Sequence, residues 1–249
     1  MTDPMRKAQA VRRAVGVGIG VATVAAGLGR RSRPAGAALA VAGGMAGWAA
    51  FAPNHPGMGP VLSRGPGGPR AALTFDDGPG PSTPLVLDAL AAAGVRATFF
   101  VLGRQVERHA ATVRRAVAEG HQLASHGFDH GILVFRGAGH LADQLRRTEA
   151  AVADAVGDDV LSRLFRAPHG FRGPLTWPAA RALGYRMVGW TRGVFDSAEP
   201  GAAVIADRAA RALTPGAVIL LHDADGWAPE RSRRQTAEAL PSICRAARS

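Results

Sequence analysis

Residues 71–102 read AALTFDDGPGPSTPLVLDALAAAGVRATFFVL. A short apolar and β-branched run, Ala71–Phe75, ends in two aspartates and a Gly-Pro turn. A segment of helical period then covers Pro84–Ala93, and Gly94 sits where a left-handed residue can close the last turn. A second apolar run occupies Ala97–Leu102. Strand, helix and strand in this order form a unit of parallel strands joined by a helical crossover. The alternation continues to the C-terminus. Further strands are expected at Gln122–Ser125, Leu164–Arg166, Arg186–Trp190 and Ala217–Leu221. Helices are expected at Val106–Glu119, Leu141–Val156, Leu175–Leu183, Ala202–Leu213 and Ser232–Ala247. Gly120, Gly157, Gly184 and Gly216 lie near the ends of four of these. No internal repeat has a fixed period. Six or seven such units in about 180 residues suit either a barrel or a doubly wound sheet, and in both the chemistry gathers at the carboxyl ends of the strands.

Reactive residue types do follow the strand runs. Asp76-Asp77 comes after the first, where one carboxylate can bind a cation while its neighbour contacts water; Asp-Asp-Gly-Pro is also good turn chemistry. His126 and His130 follow the third and can converge on one metal if the residues between them make a helical turn. Two histidines and a carboxylate leave a position open for water, as catalytic zinc does. Asp129 is a rival carboxylate there, or else a brace for the loop or for a ligand histidine. Arg166 ends the next strand and can orient a carboxylate by a bidentate contact and keep it ionised, and His222 follows four apolar strand residues near the C-terminus. Singly, each reads more readily as a turn, a surface arginine or a capping histidine; together they occupy four strand ends.

Composition narrows the function classes. The formal charge is +11, yet residues 1–70 hold nine Lys+Arg and one acid, leaving 21 basic and 18 acidic residues, or +3, for 71–249. The excess belongs to the N-terminus, which speaks against nucleic acid as a partner of the folded part. Cys244 is the sole cysteine, so neither an intrachain disulfide nor a thiolate cluster can form, and any metal must sit on His, Asp or Glu. No Gly-x-Ser-x-Gly elbow accompanies Thr74 or Ser125, against a serine nucleophile.

Residues 1–52 read as a basic and hydrophobic leader, a membrane anchor or signal-like region. Arg6, Lys7, Arg12 and Arg13 precede an uncharged stretch, Ala14–Gly29; Arg30, Arg31 and Arg33 separate it from a second, Ala35–Ala52. Each is close to the roughly 17 residues that a spanning helix needs. A single anchor, a two-helix hairpin and a cleaved signal all fit. The positive-inside rule favours the second stretch as the span, which places the domain outside the cytoplasm. Residues 53–70, rich in Pro and Gly, read as an extended linker, and 71–249 as the folded domain that carries the reactive strand ends.

Thr74-Phe75-Asp76-Asp77-Gly78-Pro79, His126-x-x-x-His130, Arg166-x-Pro168-x-Gly170 and Leu220-x-His222 resemble, in the same order, the motifs of the polysaccharide deacetylase family, carbohydrate esterase family 4. The resemblance runs from Ala71 to the C-terminus. It implies an α/β fold, a distorted, incomplete (β/α) barrel, and metal-dependent hydrolysis of N-acetyl groups on an amino-sugar polymer such as peptidoglycan or chitin. A small or lipid-linked N-acyl sugar as substrate, and a non-catalytic sugar-binding relative, are the alternatives. By the same resemblance Asp76 is the general base, His222 the general acid, and Arg166 the residue that orients the base. Asp77, His126 and His130 hold a divalent cation, with Zn2+ favoured and cobalt, nickel or iron also suited. Pro168, His169, Trp190 and Leu220 contact substrate, and a backbone N–H near His169 is a second donor to the oxyanion. Two departures stand out. The family's fourth motif pairs an Asp, supporting the Arg, with a Trp, whereas here Asp196 is followed by Ser197 and the aromatic wall falls to Trp190. Position 169 is His where Tyr is common. Trp177 and Trp227 read equally as packing or as sugar platforms.

Overall fold

A computed structural model describes residue 44 and residues 47–248. The leader readings for Ala14–Gly29 and most of Ala35–Ala52 lie outside the described residues. Among the described residues no helix is long and apolar enough to cross a membrane.

Seven strands form one sheet: β1 (Ala72–Asp76), β2 (Thr98–Val101), β3 (Gln122–Ser125), β4 (Leu161–Phe165), β5 (Arg186–Met187), β6 (Arg192–Gly193) and β7 (Val218–His222). Their order is β5-β4-β3-β2-β1-β7-β6 and every pairing is parallel. The helices are α1 (Thr83–Ala93), α2 (Gly103–Arg108), α3 (Ala110–Ala118), α4 (Ala138–Val156), α5 (Thr176–Ala182), α6 (Ala202–Ala212) and α7 (Arg234–Ala246). The curled sheet ends on β5 and β6, which do not pair with each other, so the fold is a distorted, incomplete (β/α) barrel.

The first unit shows why the chain folds this way. α1 begins with Pro84 in its first turn and ends where Gly94, at φ 60°, donates to Ala91 O and Leu90 O. Val86, Leu87 and Leu90 lie on its inner face and are fully buried with Phe75, Phe99 and Leu221 of the sheet. Each such side chain contributes roughly 1.5–3 kcal/mol of burial. Parallel register then levels the strand ends. Asp76 stands beside Phe100 and His222, Val101 beside Ser125, and Ser125 beside Phe165. One residue beyond β3 and β4 come His126 and Arg166, so one rim receives all four reactive positions.

Several boundaries differ from expectation; β4 and α4, for instance, each begin three residues before the expected Leu164 and Leu141. The helix expected over Val106–Glu119 breaks at His109 (φ −128°, ψ 36°) into α2 and α3, with neither Pro nor Gly to announce it. The Arg186–Trp190 strand is shorter, and β6 is a two-residue strand, too short for a pattern. Residues 53–64 are not a free linker. Leu62 pairs in parallel with Val188, donating to Met187 O and accepting from Gly189 N, while Arg64 bridges Ala217. Thr191 Oγ1 donates to Ser63 O at 2.6 Å. This segment therefore lies across the seam between β5 and the β6–β7 edge. The apolar residues before it also join the domain: Ala49 and Ala50 are buried, Ala50 O accepts from Arg172 N, and Phe51 packs edge-on against Phe171. The leader boundary at residue 52 is thus too late. Residues 47–52 belong with the folded part because its exposed end supplies the apolar surface of Phe171, Val134 and Ile132 to cover them.

Candidate active site

Asp77 follows β1 in the left-handed region, φ 76°, as does His130 at φ 65°. Such backbone is uncommon for residues with a side chain and is kept only where its surroundings hold it. The expected helical turn between His126 and His130 is absent: a loop with Gly127 at φ 83° brings the two rings to 5.3 Å between centroids. Asp77 Oδ1 lies 2.9 Å from His130 Nε2 and 3.4 Å from His126 Nε2. Its other oxygen, Oδ2, accepts the Gly226 N–H at 3.0 Å. His126 Nδ1 faces Arg166 O at 2.8 Å, an arrangement that places the proton on Nδ1 and leaves the Nε2 lone pair directed at Asp77.

All three donors are buried, and their ligating atoms lie within 4.8 Å of one another. Asp77 Oδ1 is buried without a hydrogen-bond partner. A carboxylate oxygen in that state is costly unless something positive completes it. One carboxylate oxygen and two imidazole nitrogens are the donors a divalent cation takes in an open site, so the residues present fit one. Burial works against the Asp77 charge, but His130 and His126 hold its carboxyl well below the usual range. Asp129 is not part of this set; its oxygens accept from Gly131 N at 2.9 Å and Gln144 Nε2 at 3.0 Å, bracing the loop.

Beside this triad stand two charged pairs. Arg166 is fully buried, and Nη1 donates to Asp76 Oδ1 at 2.6 Å and to Thr74 Oγ1 at 2.9 Å. Nη2 donates to Gly189 O, so the contact with Asp76 is a single bond rather than the bidentate one expected. The guanidinium lies 4.0 Å above the Phe100 ring. Burial lowers the Arg166 pKa and Asp76 opposes the shift. Thr74 is held here by its own bond to Ile219 O, which accounts for it structurally. In the second pair His222 Nδ1 faces Asp196 Oδ1 at 2.9 Å, and its backbone N–H donates to Asp196 Oδ2 at 2.7 Å. Thr236 Oγ1 also donates to Asp196 Oδ2, at 2.9 Å. Burial disfavours the His222 imidazolium, but Asp196 outweighs it and raises the pKa to about 9. Burial likewise opposes ionisation of Asp196, and His222 holds that carboxyl below its usual value. The aspartate expected behind Arg166 is therefore bound to His222, because η-turn residues Asp196–Ala198 follow β6, the neighbour of β7 rather than of β4.

Asp76, Asp77, His126, His130, His222 and Asp225 line one pocket with His169, Trp190 and Leu220. Pro168 does not line it; it starts the turn that carries His169, at φ 59°, to the wall. Of the amides near His169, those of Gly170 and Phe171 donate to Ala167 O and Pro168 O. Several residues of the site had no motif to reveal them: Phe195, Asp225 and Arg233 line the pocket and Gly226 bonds Asp77, while Trp227, read from sequence as packing or a sugar platform, also lines the pocket. Gly226 is needed twice, since its N–H holds Asp77 and a Cβ there would collide with the His130 ring. For Asp225 and Gly226 the one available signal was position, within the Asp223–Trp227 run just after β7; Phe195 and Arg233 lie outside that run.

Residues 63–188 match the family model described as polysaccharide deacetylase. A chitooligosaccharide deacetylase of Bradyrhizobium sp. (strain ANU 289) is 38% identical over 175 residues, covering 68% of this chain and 80% of its own. The peptidoglycan-N-acetylglucosamine deacetylase PgdA of Listeria monocytogenes is 36% identical over 155 residues, 62% of this chain; that match spans about a third, 32%, of the relative's length. A solved structure, the family 4 carbohydrate esterase from Streptomyces lividans in complex with acetate, superposes with a TM-score of 0.64 at 30% identity, covering 73% of this chain and 88% of that one. A match over half the chain, a relative covered over four-fifths of its length and a shared fold agree: the chain belongs to the polysaccharide deacetylase family.

Proposed function

We propose that this chain removes N-acetyl groups from an amino-sugar polymer of the cell envelope, of peptidoglycan or chitin type. The observation that carries the reading is the buried Asp77 Oδ1, unpartnered between His126 and His130, with Asp76 alongside and His222 at the neighbouring strand end. The named relatives that act on chitooligosaccharide and on peptidoglycan N-acetylglucosamine support the substrate class. Asp77, His126 and His130 would hold the divalent cation, Zn2+ by the softness and number of its donors. When bound, it polarises an acetyl carbonyl and acidifies a water.

The chain's own groups do the rest. Asp76, aligned by Arg166, takes a proton from the attacking water. His222, charged through Asp196, delivers a proton to the departing amine. Trp190, His169 and Leu220 form the wall that keeps bulk water from the acetyl group.

The same reading places the domain outside the cytoplasm on its basic, hydrophobic leader. Since residues 47–52 pack in the domain, the second apolar stretch retains only 35–46, shorter than the roughly 17 residues of a span. Ala14–Gly29, nearer that length, then carries the membrane role. With four Lys/Arg before it and three after, its flanking charges no longer choose an orientation, and the outward placement rests on the envelope substrate. A reporter fused after residue 46 reads the side on which the chain emerges. For activity, the full chain is given N-acetylglucosamine oligomers, peptidoglycan and lipid-linked sugars. Acetate release that stops with chelator and returns with Zn2+ is expected; none on any substrate with metal restored would sink the reading.

A further inference from the structure

The two loops that carry the metal donors share a support that takes no part in the chemistry. α2 begins just behind them, and the first amides of a helix have no partner within it. Here those amides turn outward to the donor loops. Leu102 N donates to Gly78 O at 2.9 Å, Gly103 N to Gly127 O at 3.1 Å and Arg104 N to Phe128 O at 3.1 Å. A Cβ at Gly103 would collide with the Phe128 ring, so the loop between His126 and His130 lies directly against the helix start. One strand-to-helix step thus gathers the carbonyl that follows Asp77 and two carbonyls between the ligand histidines.

The Arg104 side chain extends this support to the loop after β7. Its Nη2 donates to Gly226 O, and Gly226 N is the group that holds Asp77 Oδ2 at 3.0 Å. Gly226 is buried, with no room for a Cβ beside the His130 ring, so a shift of this glycine disturbs two metal donors at once. Arg104 is half-buried and its Nε is buried without a hydrogen-bond partner. Among the described residues its side chain forms no ion pair and no hydrogen bond besides that to Gly226 O. A cation drawn from water for one bond to a carbonyl returns little to the stability of the fold. What it returns is the position of that carbonyl, and with it the position of Asp77.

We infer that Arg104 is a positioning residue for the divalent cation: by fixing Gly226 between Asp77 and His130, it sets how tightly the three donors hold the metal. The inference rests on the metal-dependent reading of the site, and its test needs Zn2+ but no substrate. The full chain, stripped of metal, is titrated with Zn2+ in competition with a chromophoric chelator. Arg104→Ala should bind Zn2+ about tenfold more weakly than wild type. Arg104→Lys, which keeps the reach and a donor but loses the fork, should recover affinity to within about threefold. Melting of the metal-free variants measures separately what the side chain gives to the fold. An alanine variant that melts lower without metal yet binds Zn2+ as wild type does makes Arg104 a structural brace and overturns the inference. Tighter binding overturns it too, since that is the sign expected if repulsion between guanidinium and cation were the larger effect. Arg104→Met, which keeps the apolar stem, repeats the titration if the alanine variant folds poorly. Wild type that binds no Zn2+ removes the metal reading and this inference together; wild type that binds it no better than Arg104→Ala removes this inference alone.

Discussion

Two carboxylate–cation pairs flank the metal-donor triad, and they are built in opposite senses. In Asp76–Arg166 the cation serves the carboxylate: Arg166 is fully buried, pinned by Thr74 and Gly189 and backed by Phe100, and it offers Asp76 one short bond. In Asp196–His222 the carboxylate serves the cation: Asp196 accepts from His222 twice and from Thr236, while the His222 ring still reaches the pocket. Whichever partner is held by more bonds is the support, and the other is left free to exchange a proton. A base and an acid are thereby kept apart within one pocket by their neighbours.

The comparison is broken most severely at its working ends. Asp76→Asn should lower kcat by about 10^3-fold while metal content, read by elemental analysis, stays at the wild-type level. His126→Ala should lose both metal and activity. Equal metal loss in the two variants would overturn the division between Asp76 and Asp77. Next comes the support on the base side. Arg166→Met leaves a buried carboxylate without its cation, so about a hundredfold loss in kcat should come with about 3–5 kcal/mol of lost stability in denaturant melts. An unchanged melting curve would show that the pair does not stabilise the fold.

On the acid side the support acts through protonation. The His222 pKa is raised from 6.5 to about 9, so the pair's stabilisation is complete below about pH 6.5 and is lost as pH rises through about 9. NMR titration of the His222 ring in metal-free protein should show that pKa, and Asp196→Asn should move it down toward the ordinary value. The alkaline limb of kcat should move the same way, with roughly a tenfold loss of activity at neutral pH. A limb that stays in place would remove His222 as the acid. The smallest effect is expected at Asp129, which braces the donor loop without touching the triad. Asp129→Ala should weaken metal affinity by about tenfold and leave kcat at saturating metal near wild type.

How much of this was legible in sequence follows from which groups hold each part together. Parallel strands covered on both faces must be apolar runs, so β1, β3 and β7 were readable to within a residue or so, and with them the rim positions of Asp76, His126, Arg166 and His222. Helix ends marked by Gly94 and Gly157 were readable for the same kind of reason, a local one. What escaped depends on long-range pairing. Asp196 was identified as a supporting carboxylate but assigned to Arg166, because only the β6–β7 adjacency shows that its partner is His222. Arg233 and Asp225 look like surface charges in a polar stretch, and only the fold makes them a buried pair. Residues 53–64 misled most. Their Pro/Gly composition is that of a linker, but they attach through backbone amides and carbonyls such as those of Leu62, and through Asn54 and Arg64, whose side chains donate to Trp190 O and Pro215 O; which carbonyl such a side chain meets is set only by the fold.

That attached segment also bears on the order of events during synthesis. Leu62 waits for Val188, and Arg64 for Ala217, so residues that leave the ribosome before β1 can take their places only after most of the sheet has been made. Closing loops of that length is slow compared with forming the local strand–helix units, which places the seam among the last parts of the fold to assemble. A nascent chain halted before β5 would therefore carry its catalytic aspartates already made but its barrel still unlatched.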